Sequence, residues 1–449
     1  MAAQPTLGIL TLYLNERKML EEKSVYARMT VIGRKLGLSV FVFTPDDVDE
    51  AGDRIFAMFY SPDSRSWERK WVRFPQLIYD RCRIQRSPRF QRLLAFRRKY
   101  GHLTFLNRPL RNKWTVHRTL GKVAAFEAHL PSTRFYDSPE DVQAMLRKHS
   151  LVYVKPINGT GGRGILRVER MKDGTYAVQG RDHARRIVTP RRVSKEQLAA
   201  VLRSWDKHGD RYIAQQGLHI RLPSGRVHDY RMLVQKNGEG EWTVTGCAGR
   251  VGPPRSITSN LHGGGRAVPM NTLLREWIGS EERIGQIRKT AETLGIGVAR
   301  HLERTYGALC ELALDLAIDR EGRVWLLEVN PKPAREVFIQ AGERDVYRTA
   351  LSRPLEYAVW LHRQRRLART GKSRLPAGSG VGSAGAGSGS GGAAAGGPVT
   401  GGGSGAGFAA GRPQASAGGV PPVSGSFPAE TAGSGGIGSL SGMGGGANF

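Results

Sequence analysis

Apolar runs at residues 7–14 (LGILTLYL), 38–43 (LSVFVF) and 77–79 (LIY) mark three strands in the N-terminal part of the chain, the last ending at Asp80. Between the first two, Glu21 to Leu36 reads as a helix. Strand, helix and strand at this spacing predict a small parallel α/β unit. Ser87-Pro88 opens a further helix, with serine as cap and proline in the first turn. Its Phe90, Leu93 and Leu94 are expected to face inward, and Arg89, Arg92, Arg97, Arg98 and Lys99 to face mostly water.

Residues 113–128 read as helical up to Pro131, and 139–149 as a short helix capped by Ser138. A nearly continuous apolar strand follows at 151–156 (LVYVKP) and runs into a glycine-rich loop, Asn158–Gly164. Segments 164–169, 175–178 and 186–189 suit a small antiparallel sheet. A helix at 194–204 and a strand at 211–215 come next. Four longer strands are expected at 228–235, 241–251, 308–319 and 322–329, with a helix at 281–294 between the pairs. The last two form a hairpin through Asp319-Arg320-Glu321-Gly322. A final helix is expected at 354–368, starting at Pro354.

Composition divides the 449 residues into two materials. Beyond Ala377 lie 27 of the 58 glycines and only two charges, Arg412 and Glu430. That segment is too poor in apolar residues to fold and is expected to be disordered. Residues 1–376 therefore carry essentially all of the net charge of +29. Cys82, Cys247 and Cys310 lie far apart, which excludes a disulfide scaffold and a cysteine zinc site. No apolar run approaches the length of a membrane span. Residues 7–14 lack the flanks of a signal peptide, so a cytoplasmic protein is expected.

The basic excess is concentrated. From Arg65 to Arg118 there are 16 Lys and Arg against Glu68 and Asp80. Such a run is either a solvated face or an attraction for acidic polymers, whether cell-wall polymer, coat protein or nucleic acid. No signature of a sequence-reading nucleic-acid fold is present, so specific nucleic-acid recognition is not expected.

Two segments carry candidate chemistry. The loop NGTGGRG lacks the ending of a P-loop and the spacing of a dinucleotide fold. Its glycines suit either an ordinary hairpin turn or backbone contact with an anion. Lys155 ends the preceding strand and favours phosphate. The second segment is 312–333, LALDLAIDREGRVWLLEVNPKP. Strand alternation sets Asp315 apart from Leu312, Leu314, Leu316 and Ile318. Glu328 and Asn330 share a face, and the hairpin brings Asp315 opposite them. Oxygen ligands in an apolar hairpin are costly unless paired. They suit Mg2+ shared with substrate phosphates, or else turn caps and ion pairs with arginines.

With these residues in place the chain resembles the ATP-grasp superfamily. The motifs that carry the resemblance are Lys113 before the lid, VYVKP with NGTGGRGI, the segment YIAQQGLHI, HDYRML with Asp229 and Arg231, SNLHGGGRA (Ser259–Ala267), and Asp315 followed by LLEVN. They occur in family order over roughly residues 105–340. SNLHGGGRA is similar to a segment of the amino-acid-adding glutamate ligases. GILTLYL, LIYDRC and LNRPLRNKW resemble, more narrowly, the YheC/YheD family described as endospore coat-associated.

The resemblance implies an α/β ATP-grasp fold. An N-terminal domain would span 1–106, a lid subdomain 107–216 and a C-terminal antiparallel subdomain 217–370, with the tail at 377–449. It implies that ATP and Mg2+ are the cofactors. Lys113 and Lys155 would hold phosphates, and Asn158, Gly159, Gly161, Gly162 and Gly164 would close as a lid. Gln215, Gln216, Gly217 and Leu218 would meet adenine, the amides standing where the family often has an acid. Asp315, Glu328 and Asn330 would hold the metal. Arg231 and Asn260 would act at the transferred group. Arg231 as an ion-pair partner of Asp229, and His262 as a loop residue without a role, are the bland readings beside these. The implied activity is carboxylate–amine ligation through an acyl phosphate, with the carboxylate and amine unspecified. The competing reading is a non-catalytic coat-associated protein that keeps the fold.

Overall fold

The computed structural model describes residues 4–83, 87–159, 161–205, 211–261 and 264–371. The segment expected to be disordered, 377–449, and His262 lie outside the described residues.

Three sheets organise the chain. The first contains β1 (Thr6–Leu10), β2 (Ser39–Phe43), β3 (Val48–Asp49), β4 (Arg54–Ser61), β5 (Ser66–Arg73) and β6 (Leu77–Asp80), in the order β3-β4-β2-β1-β6 with β5 on β4. Its centre, β2-β1-β6, is parallel as the pattern predicts. The antiparallel β4–β5 hairpin was not expected. β4 (RIFAMFYS) hides its alternation because both of its faces are partly covered, and β5 (SWERKWVR) is too polar to read as a buried strand.

The second sheet holds β7 (Thr133–Tyr136), β8 (Leu151–Pro156), β9 (Ile165–Arg170), β10 (Tyr176–Arg181), β11 (Ile187–Val193) and β12 (Tyr212–Gln216). They run in the order β11-β10-β9-β8-β12-β7. The third is antiparallel, β15-β14-β13-β16-β17, from β13 (His228–Lys236), β14 (Trp242–Val251), β15 (Arg266–Pro269), β16 (Glu311–Ile318) and β17 (Val324–Asn330).

The helices are α1 (Lys23–Lys35), α2 (Pro88–Lys99), α3 (Lys113–Leu120), α4 (Ala124–Glu127), α5 (Pro139–Lys148), α6 (Lys195–Trp205), α7 (Met270–Trp277), α8 (Glu281–Tyr306), α9 (Glu336–Gln340) and α10 (Arg344–Arg369). Ser87 caps α2 by accepting from the Phe90 N–H. Ser138 and Asp141 form a reciprocal cap on α5, the kind of closure worth about 1 kcal/mol.

Four expectations change in detail. The region 113–128 is two short helices, α3 and α4. α8 runs twelve residues past Leu294. Gly295, just past the expected end, lets the helix lie on β13, because a Cβ there would stand 2.7 Å from Met232 Sδ. Ile284, Ile287, Leu294, Val298 and Leu302 on its inner face are buried, each contributing about 1.5–3 kcal/mol.

Pro354 lies inside α10 and does not open it. A proline there leaves the carbonyl four residues back without its helical donor. That carbonyl, Ala350 O, accepts from Gln235 Nε2 at 3.0 Å and Arg335 Nε at 2.9 Å, so the lost bond is replaced from two other elements.

On α2, Leu93 is buried as expected, but Leu94 is 40% exposed and Phe96 takes the inward position. Of its cations Arg92, Arg98 and Lys99 are exposed, as expected, and Arg89 and Arg97 are half-buried. Arg97 donates to buried Asp80 at 2.8 Å, and Arg89, Arg92 and Lys99 pair with Glu16, Asp46 and Glu50. Part of the basic run thus meets acids drawn from distant segments.

The first and third sheets are joined by a buried ionic cluster. Glu311 on β16 accepts from Arg81 at 2.7 Å, from Arg335 at 2.5 Å, from Gln235 at 3.1 Å and from Tyr79. Arg81 also binds Glu22 at 2.8 Å. Beside it, Lys332 and Arg97 both hold Asp80. No helix among the described residues is long and apolar enough to cross a membrane.

Candidate functional site

A cleft of about 190 Å3 lies between the second and third sheets. Each wall presents its charged side chains by strand alternation. On β8, Tyr153 and Lys155 face it; on β13, Asp229 and Arg231; on β17, Glu328 and Asn330. α3 contributes Lys113 at its first position, fixed by the Asn112 cap on Thr115 N at 2.9 Å.

The hairpin register sets Asp315 directly opposite Glu328, with Asn330 opposite Ala313. On the other side Asp315 stands opposite Arg231. Arg231 Nε donates to Asp315 Oδ1 at 2.5 Å, and Arg250 NH2 lies 3.1 Å from Oδ2. Arg250 in turn binds Asp229 through Nε at 2.7 Å. Arg231 therefore pairs with Asp315, and the partner of Asp229 is Arg250. Burial would raise the Asp315 carboxyl, but Arg231 and Arg250 outweigh it and hold it down to about 2.

Lys155 donates to Gln215 Oε1 at 2.6 Å and lies 3.5 Å from the Leu327 carbonyl. Burial and the neighbouring Lys113 push its ammonium down to about 8, against the pull of Glu328 and Asp315. Lys113 Nζ donates to Gly159 O at 2.7 Å and lies 3.4 Å from Glu328 Oε2. Two cations with incomplete compensation thus face one space, which suits an anionic occupant.

The glycine loop closes one end. Gly161 and Gly162 line the cleft with φ of 66° and 72°, a left-handed backbone that favours glycine. A Cβ on Gly162 would stand 2.4 Å from Asn260 Nδ2, so loop and Asn260 touch only because the side chain is missing. Gly159, Gln215, Gln216, Gly217, Leu218 and Asn260 also line the cleft.

Two expected residues do not. Asn158 is exposed, and Gly164 is buried behind the loop, its carbonyl accepting from Trp205 Nε1 at 3.1 Å. The amide carbonyl of Gln215 is already taken by Lys155. Gln216 Oε1 accepts from Ser132 N at 3.1 Å. Adenine contact by either amide oxygen would displace these bonds.

Sequence reasoning missed Arg250. Its distance from Asp229 in the chain gives no cue, and only the β13–β14 register, Asp229 opposite Arg250, reveals the pair.

The donor set fits a hard divalent cation in one way. Among the described residues no three His, Cys, Asp or Glu side chains gather as a metal cage. Two carboxylates and an amide, on adjacent strands at the cleft wall, match an ion held partly by substrate phosphate.

The YheC/D-like ATP-grasp family matches residues 102–361. The endospore coat-associated protein YheD of Bacillus subtilis (strain 168) is 28% identical over 368 residues, covering 80% of this chain and 79% of its own. YheC of the same organism, also endospore coat-associated, is 27% identical over 343 residues, covering 75% and 90%. The crystal structure of the D-cycloserine synthetase DcsG aligns at 14% identity and a TM-score of 0.47, over 80% of this chain and 99% of that one. With the match spanning more than half of its length, the chain belongs to the YheC/D-like ATP-grasp family.

Proposed function

We propose that the cleft binds ATP with Mg2+ and activates a carboxylate as an acyl phosphate for attack by an amine. The observation that carries this reading is the convergence of Lys113, Lys155, the glycine loop and the Asp315/Glu328/Asn330 hairpin on one cavity. Lys113 and Lys155 hold phosphate oxygens, whose charge offsets the burial and the Lys113 repulsion that depress Lys155. The loop covers the triphosphate through Gly159, Gly161 and Gly162 and excludes water, strengthening each charge contact. Asp315, Glu328 and Asn330 hold Mg2+, which supplies neutralisation of phosphate charge. Arg231 offers a planar fork to the transferred phosphoryl group and must then exchange part of its bond to Asp315. Asn260, against Gly162, stands where loop closure and the transferred group meet.

In this reading the chain divides into an N-terminal domain (1–106), a lid (107–216) and a C-terminal subdomain (217–370). The names of YheD and YheC support placement at the spore envelope, with acidic polymers or coat proteins as partners. The test is ADP release in MgATP against pooled amino acids and spore-envelope fragments. Release that depends on one fraction and disappears in Glu328→Gln identifies a ligase. Tight MgATP binding with no release in any fraction would favour a coat-associated protein that keeps the fold without turnover.

A further inference from the structure

On the other face of the third sheet, a second groove of about 520 Å3 is built from residues that the nucleotide reading does not use. Met232 follows Arg231 on β13, so the two point to opposite faces. Cys247 on β14 stands opposite Met232. β15 pairs with β14 from Ala248 to Val251, so the Val244–Cys247 stretch borders the groove where that pairing ends. Met232, Cys247 and Met270 make an apolar floor. Arg288, Lys289 and Glu292 stand along one wall on α8, and Glu343 at the start of α10 stands on the other.

The charges here are unsatisfied in a specific way. Glu343 Oε2 is buried and has no hydrogen-bond partner among the described residues. Its side chain makes no cap bond to α10. Burial pushes its carboxyl above the ordinary range. Arg288 and Lys289 are exposed and neither is paired with an acid among the described residues. A buried acceptor without a donor needs an explanation, and a bound ligand that supplies the donor is one. A purely anionic occupant would meet Glu343 and Glu292. A purely cationic one would leave Arg288 and Lys289 unused.

We propose that this groove is a binding site for a small zwitterion of the amino-acid or short-peptide class. Its ammonium donates to Glu343, its carboxylate accepts from Arg288 and Lys289, and its apolar side chain lies on Met232 and Met270. The site is separate from the cleft and stands or falls independently of nucleotide binding.

Cys247 is a built-in reporter. It is half-buried, whereas Cys82 and Cys310 are buried and serve as internal references. The full-length protein is alkylated at a pH and reagent concentration raised until Cys247 labels measurably, because burial and Glu343 hold its thiol well above the ordinary range, and the rate at each cysteine is followed by mass spectrometry. The probes are leucine, leucyl-leucine, 4-methylpentanoate, which lacks the ammonium, and 3-methylbutylamine, which lacks the carboxylate, all at millimolar concentration. The expected result is several-fold slower labelling of Cys247 with leucine or leucyl-leucine and not with either one-headed analogue. Protection by leucine and not leucyl-leucine identifies a free amino acid, and the reverse identifies a peptide. Glu343→Gln and Arg288→Gln, each with an unchanged melting temperature, should lose the protection. Rates are compared within each variant, because removing the Glu343 charge itself alters the thiol. No protection by either zwitterion, equal protection by a one-headed analogue, or protection that survives both substitutions would overturn the proposal.

Discussion

Glu311 and Asp315 lie four residues apart on β16, and both are buried carboxylates held by two arginines. Their surroundings differ. Around Glu311 the donors come from β6 and the residue after it, β13 and the segment after β17, and the carboxylate is fully buried. Around Asp315 one of the two arginines, Arg250, is shared with Asp229, and the carboxylate opens on a cavity where Lys113 and Lys155 repel one another. Closed compensation makes the first cluster a joint between sheets. Open, unbalanced compensation makes the second a place for a charged ligand.

The largest expected effect lies at the joint. Glu311→Gln leaves Arg335 without a carboxylate and Arg81 with Glu22 alone in a dry core, and should cost about 3–5 kcal/mol. Chemical denaturation measures it. Asp315→Asn should cost less than half as much, because Arg250 keeps Asp229. Equal losses would erase the distinction between the two clusters.

His117, on α3, lines a smaller pocket that adjoins the cleft at Lys113 and Lys155, and tests how dry that side of the cleft is. Burial, helped by Lys155, pushes its imidazole down to about 4 from an ordinary 6.5. Between those values the unfolded chain takes up a proton that the folded chain refuses. Stability should therefore fall as pH drops from 6.5 to 4, by up to about 3 kcal/mol. His117→Gln should flatten that part of the denaturation profile; an unchanged slope would mean a wet cleft.

Lys155→Ala should weaken MgATP binding by roughly tenfold to a hundredfold, the loss of about 1.5–3 kcal/mol expected for a charged hydrogen bond. The ligand-free protein should lose little stability, because a desolvated cation facing another cation is removed. Titration calorimetry and thermal melts on one sample separate the two effects.

The joint was almost illegible in the sequence, and the cleft largely legible. Asp315, Glu328 and Asn330 belong to one hairpin, so their spacing brings them together, although the turn register alone would face Asp315 with Leu327 and an irregularity between Asp315 and Leu316 moves it opposite Glu328. Glu22, Arg81, Glu311 and Arg335 come from four separate segments, and no local pattern links them. Arg97 looked like one more solvated cation because its partner, Asp80, is brought to it only by packing of α2 on the first sheet. Pro354 read as a helix start because proline favours the first turn; the side chains that satisfy Ala350 O come from residues 235 and 335. The missed Arg250 has the same cause. Local rules reveal chemistry held within a hairpin or a loop, and tertiary pairing hides the rest.

A smaller effect follows from the depressed ammonium of Lys155. A phosphate ligand favours the protonated form, so MgATP affinity should fall as pH rises through about 8, at most about tenfold per pH unit. Lys155→Arg keeps its charge throughout and should remove the slope. A pH-independent affinity in the native protein would place Lys155 outside phosphate contact.

The central claim is that the open cluster binds a nucleotide through its metal hairpin. The most direct measurement is the melting temperature of the native protein and of Glu328→Gln, each in saturating ATP with Mg2+ and in ATP with a chelator. The account predicts a raised melting temperature for the native protein that is largest with Mg2+, and a Glu328→Gln protein that folds normally and responds equally to ATP with or without the metal. An unchanged native melting temperature in MgATP, or the full Mg2+-dependent rise in Glu328→Gln, would contradict it.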